Sequence, residues 1–374
     1  MMFSPSDHQF MRQALDLASL GLFTTDPNPR VGCLIVQNGT VVGEGWHLRA
    51  GEAHAEVHAL ARAGEFAKGA VAYVTLEPCS HLGRTGPCCD ALIRAGISRV
   101  VVAMQDPNPL VNGEGVGRLR AAGIRVDVGL MAAEAIELNL GFLSRMLRKR
   151  PWVRLKLAAS LDGKTALNNR QSQWITEETA RADGHRWRAR ASALLTGIGT
   201  VKDDDPQLNV RYVETSRQPI RVLVDSRLDV STNARVLAEP GVWIVTALDE
   251  ASRRQSVWQA LEDAGHRLIS LPNSQAKVDL EAMMQWLASQ GINELHIEAG
   301  YKLNGSLLRE ACVDELLVYL APHLLGPGMP MFDLPGLDRI PDVSTWGFVE
   351  HQSLGRDLRL RLRAHGSTQW LATL

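Results

Sequence analysis

With 374 residues, the chain has room for two domains, each with a core of its own. A net charge of −1, balanced along the length, argues against an electrostatic nucleic-acid binder but not against a small phosphorylated substrate. No apolar run reaches membrane-span length, the N-terminus lacks a basic-then-apolar signal, and five cysteines do not make a disulfide framework, so the expected setting is the cytoplasm.

Residues 6–20 read as an amphipathic helix, with Ser6 as cap, Gln9 at the capping-box position and Gly21 as its end. Pro27-Asn28-Pro29-Arg30-Val31-Gly32 follows, too rich in proline for regular structure. Residues 31–36 and 41–46 read as strands joined through Asn38-Gly39, a strong hairpin signal. Residues 53–62 predict a helix ended by Gly64, and residues 70–76 a buried strand that delivers Glu77-Pro78-Cys79. Residues 88–95 predict a helix ended by Gly96. A strand (99–104), a helix (113–122), a strand (124–128) and a longer helix (131–147) complete a sheet covered by helices.

Within that sheet, His54-Ala55-Glu56, Cys79 and Cys88 carry the chemistry. One imidazole and two thiolates give three zinc ligands and leave a fourth position for water, the number expected of a catalytic zinc. The order H-x-E, then Pro-Cys, then a second Cys is the signature of zinc nucleobase deaminases, whose Glu is no ligand but moves protons between water, ring nitrogen and leaving amine. His54 and Cys88 are expected in the first turns of their helices, where the positive end of the dipole favours thiolate. His54 and Glu56 can share one pocket only if that first turn points at it. Eight residues separate the two cysteines, not two, and the insert, residues 80–87 with Arg84, reads as a loop at the pocket mouth. Three alternatives stay open. His58 could pair with His54, although Glu56 is then misplaced for a zinc-protease motif. Cys89 could replace Cys88. A structural zinc would ordinarily want four ligands and no adjacent Glu.

The basic run at residues 145–150, read as a solvated face, and then Pro151 mark a boundary. Residues 152–159 alternate as a strand and lead into a turn, Ser160-Leu161-Asp162-Gly163-Lys164. Residues 176–190 predict a helix with Thr176 as cap and two glutamates in its first turn. Strands are expected at 193–196, 220–224, 242–246, 267–270 and 294–297, with helical stretches between most of them. Further strand-like runs fall at 315–320, 346–352 and 358–362, the last alternating leucine and arginine as a half-buried strand should. Thr196-Gly197-Ile198-Gly199-Thr200 and the stretch from Glu298 to Ser306 each follow a strand, the second also opening a helix, and backbone amides at such sites can cradle phosphates. Neither keeps G-x-G-x-x-G spacing, so plain tight turns stay open. Asp203, Asp204 and Asp205, with Pro206 next, read as a loop with one or two useful carboxylates.

Over nearly its whole length the chain resembles the bifunctional deaminase/reductase family of riboflavin biosynthesis. The first half does so through Pro27-Asn28-Pro29-Arg30-Val31-Gly32-Cys33, His54-Ala55-Glu56 and Glu77-Pro78-Cys79-Ser80-His81-Leu82-Gly83-Arg84-Thr85-Gly86-Pro87-Cys88-Cys89, long insert included. The second half does so through Lys156-Leu157-Ala158-Ala159-Ser160-Leu161-Asp162-Gly163, Ser172-Gln173-Trp174-Ile175-Thr176, Asp204-Asp205-Pro206 and Glu298-Ala299-Gly300. The resemblance implies an α/β chain with a cytidine-deaminase-like domain at residues 1–147 and a dihydrofolate-reductase-like domain at 151–374. It implies two successive reactions: a phosphoribosylamino diaminopyrimidinone loses its ring amine as ammonia, and NADPH then reduces the ribose of the product to a ribityl chain.

Position by position, the resemblance puts zinc on His54, Cys79 and Cys88, with Glu56 as proton shuttle. It puts NADPH on Ala158, Trp174, Thr200, Asp204, Ser226 and a loop of Gly300, Tyr301, Lys302, Leu303, Asn304, Gly305 and Ser306. It puts substrate on Ser172, Arg188, Leu208, Arg211 and Glu298, the two arginines suiting a phosphate through their forked donors. Glycine is common where Ala158 stands. The reductase proton donor stays open between Lys156 and an ordered water. The expected partner is a small phosphorylated pyrimidine, with no nucleic acid and no membrane, and the chain is expected as a homo-oligomer, a dimer favoured.

Overall fold

The structure is a computed structural model that describes residues 3–80, 86–108, 111–249, 251, 256–339 and 345–373. The chain divides into two compact units, Met1–Arg148 with Leu371–Leu374, and Lys149–Trp370. Among the described residues no helix is long and apolar enough to cross a membrane.

In the first unit, helices α1 (Pro5–Leu20), α2 (Ala55–Ala63), α3 (Cys88–Arg94), α4 (Glu114–Ala121) and α5 (Ala132–Arg148) accompany one sheet. Its strands are β1 (Gly32–Gln37), β2 (Thr40–Trp46), β3 (Val71–Val74), β4 (Arg99–Val102) and β5 (Arg125–Val128), in the order β2-β1-β3-β4-β5. The β1/β2 hairpin turns through Asn38 and Gly39, both at positive φ as that dipeptide predicts. From β3 to β5 the pairing is parallel; short β3 and β4 are largely buried, while edge strand β5 exposes Arg125 and Val128. The cap of α1 is Ser4, not Ser6: Ser4 accepts from the Asp7 amide, Asp7 answers at the Ser4 amide, and Pro5 takes the first helical position.

Two glycines set the distance between α2 and the sheet. A Cβ on Gly43 would lie 2.2 Å from the Ala59 carbonyl oxygen, and one on Gly45 2.4 Å from that of Ala55. The helix therefore rests on bare β2 backbone. On the other side, α5 breaks at Asn139 (φ −116°, ψ 16°). The Asn139 side chain accepts from the Arg30 N–H through Oδ1 at 2.8 Å and donates through Nδ2 to the Arg30 carbonyl at 3.0 Å, which pins the proline-rich segment.

The second unit is built on a nine-stranded sheet in the order β11-β10-β9-β8-β12-β6-β13-β16-β15. These are β6 (Trp152–Ser160), β8 (Ala193–Gly197), β9 (Ile220–Val224), β10 (Trp243–Thr246), β11 (Arg267–Ser270), β12 (Glu294–Ile297), β13 (Glu315–Ala321), β15 (Trp346–Leu354) and β16 (Asp357–Ala364). Pairing is parallel from β11 to β13 and antiparallel at β16 and β15. Short strands β7 (Lys164–Leu167) and β14 (Gly328–Pro330), not expected from sequence, form a separate ribbon. The helices are α6 (Glu178–Arg190), α7 (Ile198–Asp204), α8 (Ser256–Asp263), α9 (Leu280–Ser289) and α10 (Tyr301–Arg309).

Three expectations are corrected here. Helix α6 is capped by Glu177, not Thr176, because the Glu177 amide is held by the Asp357 carboxylate at 2.7 Å and its side chain by Arg356. The stretch from Glu298 opens a helix as expected, with Gly300 as N-cap of α10, but residues 301–306 lie within that helix and form no nucleotide loop. Asp203 and Asp204 lie in α7 and Asp205 ends it, each with its own partner, respectively Arg170, Ser172 and the Arg235 amide. In β16 the arginine face is more covered than the leucine face, on which Leu358 is exposed. Arg359 and Arg361 are buried beside the Trp187 ring, and fully buried Arg154 bridges Glu294 and Glu315 at 3.0 and 2.6 Å.

Candidate active sites

In the first unit His54 is the N-cap of α2 (φ −77°, ψ 165°), one step before the first turn where it was expected. Its ring makes no cap bond and stays available. Cys79 follows β3 in irregular backbone, and Cys88 opens α3, so its own amide donates to the Cys79 sulfur at 3.4 Å. His54 Nδ1 lies 3.5 Å from Cys79 Sγ and 3.4 Å from Cys88 Sγ. A tetrahedral zinc with ordinary bond lengths holds nitrogen and sulfur donors about 3.6 Å apart. Donor types, number and spacing all fit a catalytic zinc. The Cys88 thiol and His54 hold the Cys79 thiol well below its ordinary value, against its burial. Among the described residues this is the one His/Cys/Asp/Glu cluster spaced for a metal, which leaves His58 out. Cys89 turns toward Asp90 and the helix core, and burial pushes its thiol up to about 11. Residues 81–85 of the expected mouth loop lie outside the described residues.

Glu56 is 3 % exposed. Burial, with the Cys79 charge added to it, pushes its carboxyl up to about 7, and it reaches the Cys88 sulfur. A carboxyl at that value both takes and gives a proton near neutrality. Sequence reasoning missed Glu77. Its carboxylate accepts from the amides of Asp106, Gly113 and Val116 at 3.2, 3.0 and 3.0 Å, which ties the start of α4 to the strand end that carries Cys79.

In the second unit a cavity of about 190 Å³ is lined by Lys156, Trp174, Arg181, His185, Arg188, Arg211, Tyr212, Glu298 and Tyr319, among others. It gathers Arg188, Arg211 and Glu298 from the expected substrate set, and Trp174, expected at the nucleotide, shares it. Trp174 stacks on Arg181 at 4.5 Å. Arg188 spends its fork inside the protein: Nε and one amino nitrogen donate to the Glu298 oxygens at 2.5 and 2.9 Å, and the other donates to the Asn209 carbonyl at 3.0 Å. Burial alone would raise the Glu298 carboxyl, but Arg188 and Lys156 hold it well below the ordinary range. Burial likewise draws the Lys156 ammonium down against the pull of Glu298. Lys156 and His185 line this cavity; the sequence offered Lys156 only as one option and gave no signal for His185.

The other expected contacts sort differently. Leu208 has positive φ (50°) and a side chain 3 % exposed in the core, so only its backbone can face a ligand. Ser172 donates to Asp204 at 3.0 Å, which joins one expected substrate contact to one expected cofactor contact. Ala158, Thr200, Ser226 and Gly300 fall on or just beyond the carboxyl ends of the neighbouring strands β9, β8, β12 and β6, where open α/β sheets bind ligands, while Asp204 is the last residue of α7. No side chain caps α10, whose first amides are thus left for a ligand, and Gly300 stands where a Cβ would come 3.6 Å from the Thr200 hydroxyl. This cradle fits a dinucleotide phosphate. Asn304 and Gly305 do other work: Asn304 is buried and donates to Ala299 and Met331 carbonyls, and a Cβ on Gly305 would strike the Asp333 carbonyl at 2.1 Å.

Residues 4–104 match the cytidine and deoxycytidylate deaminase zinc-binding region, and residues 151–360 match the RibD C-terminal domain. The chain is 49 % identical over 369 residues to the riboflavin biosynthesis protein RibD of Escherichia coli K12, covering 95 % of this chain and 99 % of that one. Among solved structures, Acinetobacter baumannii RibD superposes with a TM-score of 0.89 at 42 % identity, covering 96 % of this chain and 99 % of the other. The Thermotoga maritima diaminohydroxyphosphoribosylaminopyrimidine deaminase/5-amino-6-(5-phosphoribosylamino)uracil reductase does so with a TM-score of 0.85 at 32 % identity, again covering 96 % and 99 %. A deaminase zinc site in one unit, a reductase fold in the other and near full-length identity to such proteins establish that the chain belongs to the RibD family, the bifunctional zinc-dependent deaminases and NADPH-dependent reductases of riboflavin biosynthesis.

Proposed function

We propose that the first unit deaminates 2,5-diamino-6-(5-phosphoribosylamino)pyrimidin-4(3H)-one and that the second reduces the ribose of the product. The observation that carries this is the His54, Cys79 and Cys88 donor triangle with the buried Glu56 carboxyl beside it. Zinc held there supplies Lewis-acid activation of a water. Glu56 takes the proton that water gives up, passes it to the ring nitrogen, and then helps the amine leave as ammonia. Glu77 keeps the Cys79 strand end in register with α4 while this happens.

In the second unit NADPH supplies the hydride. Thr200, Asp204, Ser226 and the N-terminus of α10 hold the nucleotide, while Ala158 and Trp174 face it from β6 and the cavity rim. Leu303 packs beneath Gly197 as part of the same floor. Arg211 is the principal phosphate contact, because the fork of Arg188 is already on Glu298. Arg188 and Glu298 then shape the cavity wall, and Lys156, half-buried between Glu298 and Tyr319, is the candidate proton donor. The domain limits proposed are 1–147 and 151–374; the two compact units support the boundary near residue 148 but group residues 371–374 with the first unit. Thiolate ligands suit a reducing compartment, which supports the cytoplasm. The exposed edge strand β15, with Phe348 71 % exposed, supports a homodimer that sedimentation would test.

The wild-type chain given the diamino compound and NADPH should release ammonia first and oxidise NADPH only afterwards. NADPH oxidation without prior ammonia release refutes the order and with it the division of labour.

A further inference from the structure

The stretch at residues 209–211 belongs to no helix or strand, yet it presents Arg211 to the cavity. Its backbone is held by side chains. The Asn209 carbonyl accepts from Arg188 at 3.0 Å. The Val210 amide donates to Gln218 Oε1 at 2.8 Å, and the Val210 carbonyl accepts from Gln218 Nε2 at 3.2 Å. The Arg211 amide donates to His185 Nδ1 at 3.2 Å. Just before it, Leu208 makes a left-handed bend with its side chain sunk in the core, a conformation that persists only where the surroundings impose it. Gln218 is itself set in place: the next residue toward the N-terminus, Arg217, donates to the Ala189 and Ala191 carbonyls at the end of α6.

We propose that Gln218 and His185 are positioning residues for recognition of the substrate phosphate: they clamp the backbone of residues 209–211 so that Arg211 faces the cavity. The two partners act at different atoms. Gln218 mimics a strand neighbour, donor and acceptor together, for one residue that has no strand beside it. His185 serves as an acceptor only, which requires its neutral form with the proton on Nε2. Burial, with Arg188 and Arg211 nearby, holds its pKa at about 4, consistent with that form at neutral pH. With the clamp removed, the segment is free to exchange its backbone bonds for water, and the guanidinium loses its fixed starting point. The cost falls on binding of the phosphorylated end and not on hydride transfer.

The inference rests on the reading of Arg211 as the phosphate contact, and the test separates the two. NADPH oxidation by the full chain is measured with the deaminated phosphoribosylaminopyrimidine and with its dephosphorylated counterpart. Gln218→Ala is expected to raise KM for the phosphorylated compound about tenfold, with kcat within about twofold and the dephosphorylated compound unaffected. Arg211→Ala should do the same more strongly, and Gln218→Ala added to Arg211→Ala should change nothing further, because Gln218 acts through Arg211. His185→Leu should behave like Gln218→Ala, and His185→Asn, which keeps an acceptor, should recover most of the loss. Equal losses on both compounds, or full additivity with Arg211→Ala, would mean a merely structural role and overturn the clamp. If Arg211→Ala itself treats both compounds alike, the phosphate reading falls and the clamp with it; if only Arg211→Ala discriminates, the clamp alone falls.

Discussion

Adding one methyl group at Gly45 should cost the first unit its zinc. The Cβ of Gly45→Ala would sit 2.4 Å from the Ala55 carbonyl oxygen, 2.6 Å from the His58 Cβ and 2.7 Å from the Ala59 amide nitrogen. None of these is the far end of a flexible side chain, so no rotamer change relieves the clash. Ordinary contact begins near 3.4 Å, and α2 must therefore retreat from β2 by about 1 Å. His54 is the residue that caps this helix, while Cys79 sits in irregular backbone after β3 and Cys88 opens α3, and both stay behind. Metal sites tolerate errors of about 0.2 Å in ligand distance. Overpacking should cost about 1–3 kcal/mol of stability, and zinc affinity should fall about 10–100-fold, as when a ligand's support is removed. Competition against a chromogenic chelator reads the affinity, and ammonia release should fall in step. Gly117→Ala is the control: it lies in α4 with nothing within 4 Å of its Cβ, and should be neutral or stabilising by up to about 1 kcal/mol. Wild-type zinc affinity and ammonia release in Gly45→Ala would refute the idea that this glycine places the histidine.

Glu56→Gln should keep zinc, by metal analysis, while ammonia release drops by about 10²–10⁴-fold; loss of zinc instead would make Glu56 a ligand. The same variant, given the already deaminated compound, should oxidise NADPH at close to the wild-type rate. A fragment beginning near residue 149 should fold and bind NADPH, as followed by fluorescence; if it is insoluble alone, the boundary is wrong. Glu315 carries a pH prediction. Burial would raise its carboxyl, but Arg154 and Arg361 outweigh burial and hold it at about 2. Its contribution is thus fully present above the unfolded value of about 4.3 and is lost as pH falls through the folded value. Glu315→Gln removes it at pH 7 and leaves Arg154, 0 % exposed, with Glu294 alone, so thermal unfolding should report a loss of about 3–5 kcal/mol.

The deaminase half was readable because its chemistry sits at element ends that local sequence marks. Asn38-Gly39 fixes a hairpin, and the ligands fall where a helix starts or a strand stops. The misses there are of two kinds. Ser4 could have been chosen over Ser6, since Pro5 at the first helical position was visible. The break at Asn139 could not, because its partner, Arg30, lies 109 residues away. Glu77 was visible as part of a motif, but its three amide donors come from a later loop and helix. In the reductase half, residues 300–306 show how a glycine pattern misleads. Gly300 caps a helix, whereas Gly305, five residues on, lets the Asp333 backbone approach closely. One run of sequence thus holds two unrelated reasons for glycine. The leucine–arginine alternation of β16 gave the strand correctly but not the environment of its polar face, which depends on Trp187 from α6 and glutamates from other strands.

Whole-chain charge shows why the reductase cavity was the hardest part to foresee. A net charge of −1 argued only against a basic face. Yet the cavity draws Lys156 from β6, Arg181 and Arg188 from α6, and Arg211 from an irregular segment, four cations against the single carboxylate of Glu298. Charges beyond about 10 Å are largely screened at ordinary ionic strength, so a phosphorylated ligand responds to this local excess and not to the sum. Within the excess the roles divide by what each cation already holds. Arg188 is neutralised by Glu298 and committed to the Asn209 carbonyl; Arg181 lies under Trp174 and donates to the Thr176 carbonyl. The described partners of the Arg211 guanidinium are neutral amide oxygens of Asn209 and Gln207, which a phosphate dianion outcompetes as an acceptor. On the proposed reading, selectivity for a phosphorylated substrate depends less on how many arginines line the cavity than on how firmly each is already held, Arg188 by Glu298 and Arg181 by Trp174 and Thr176.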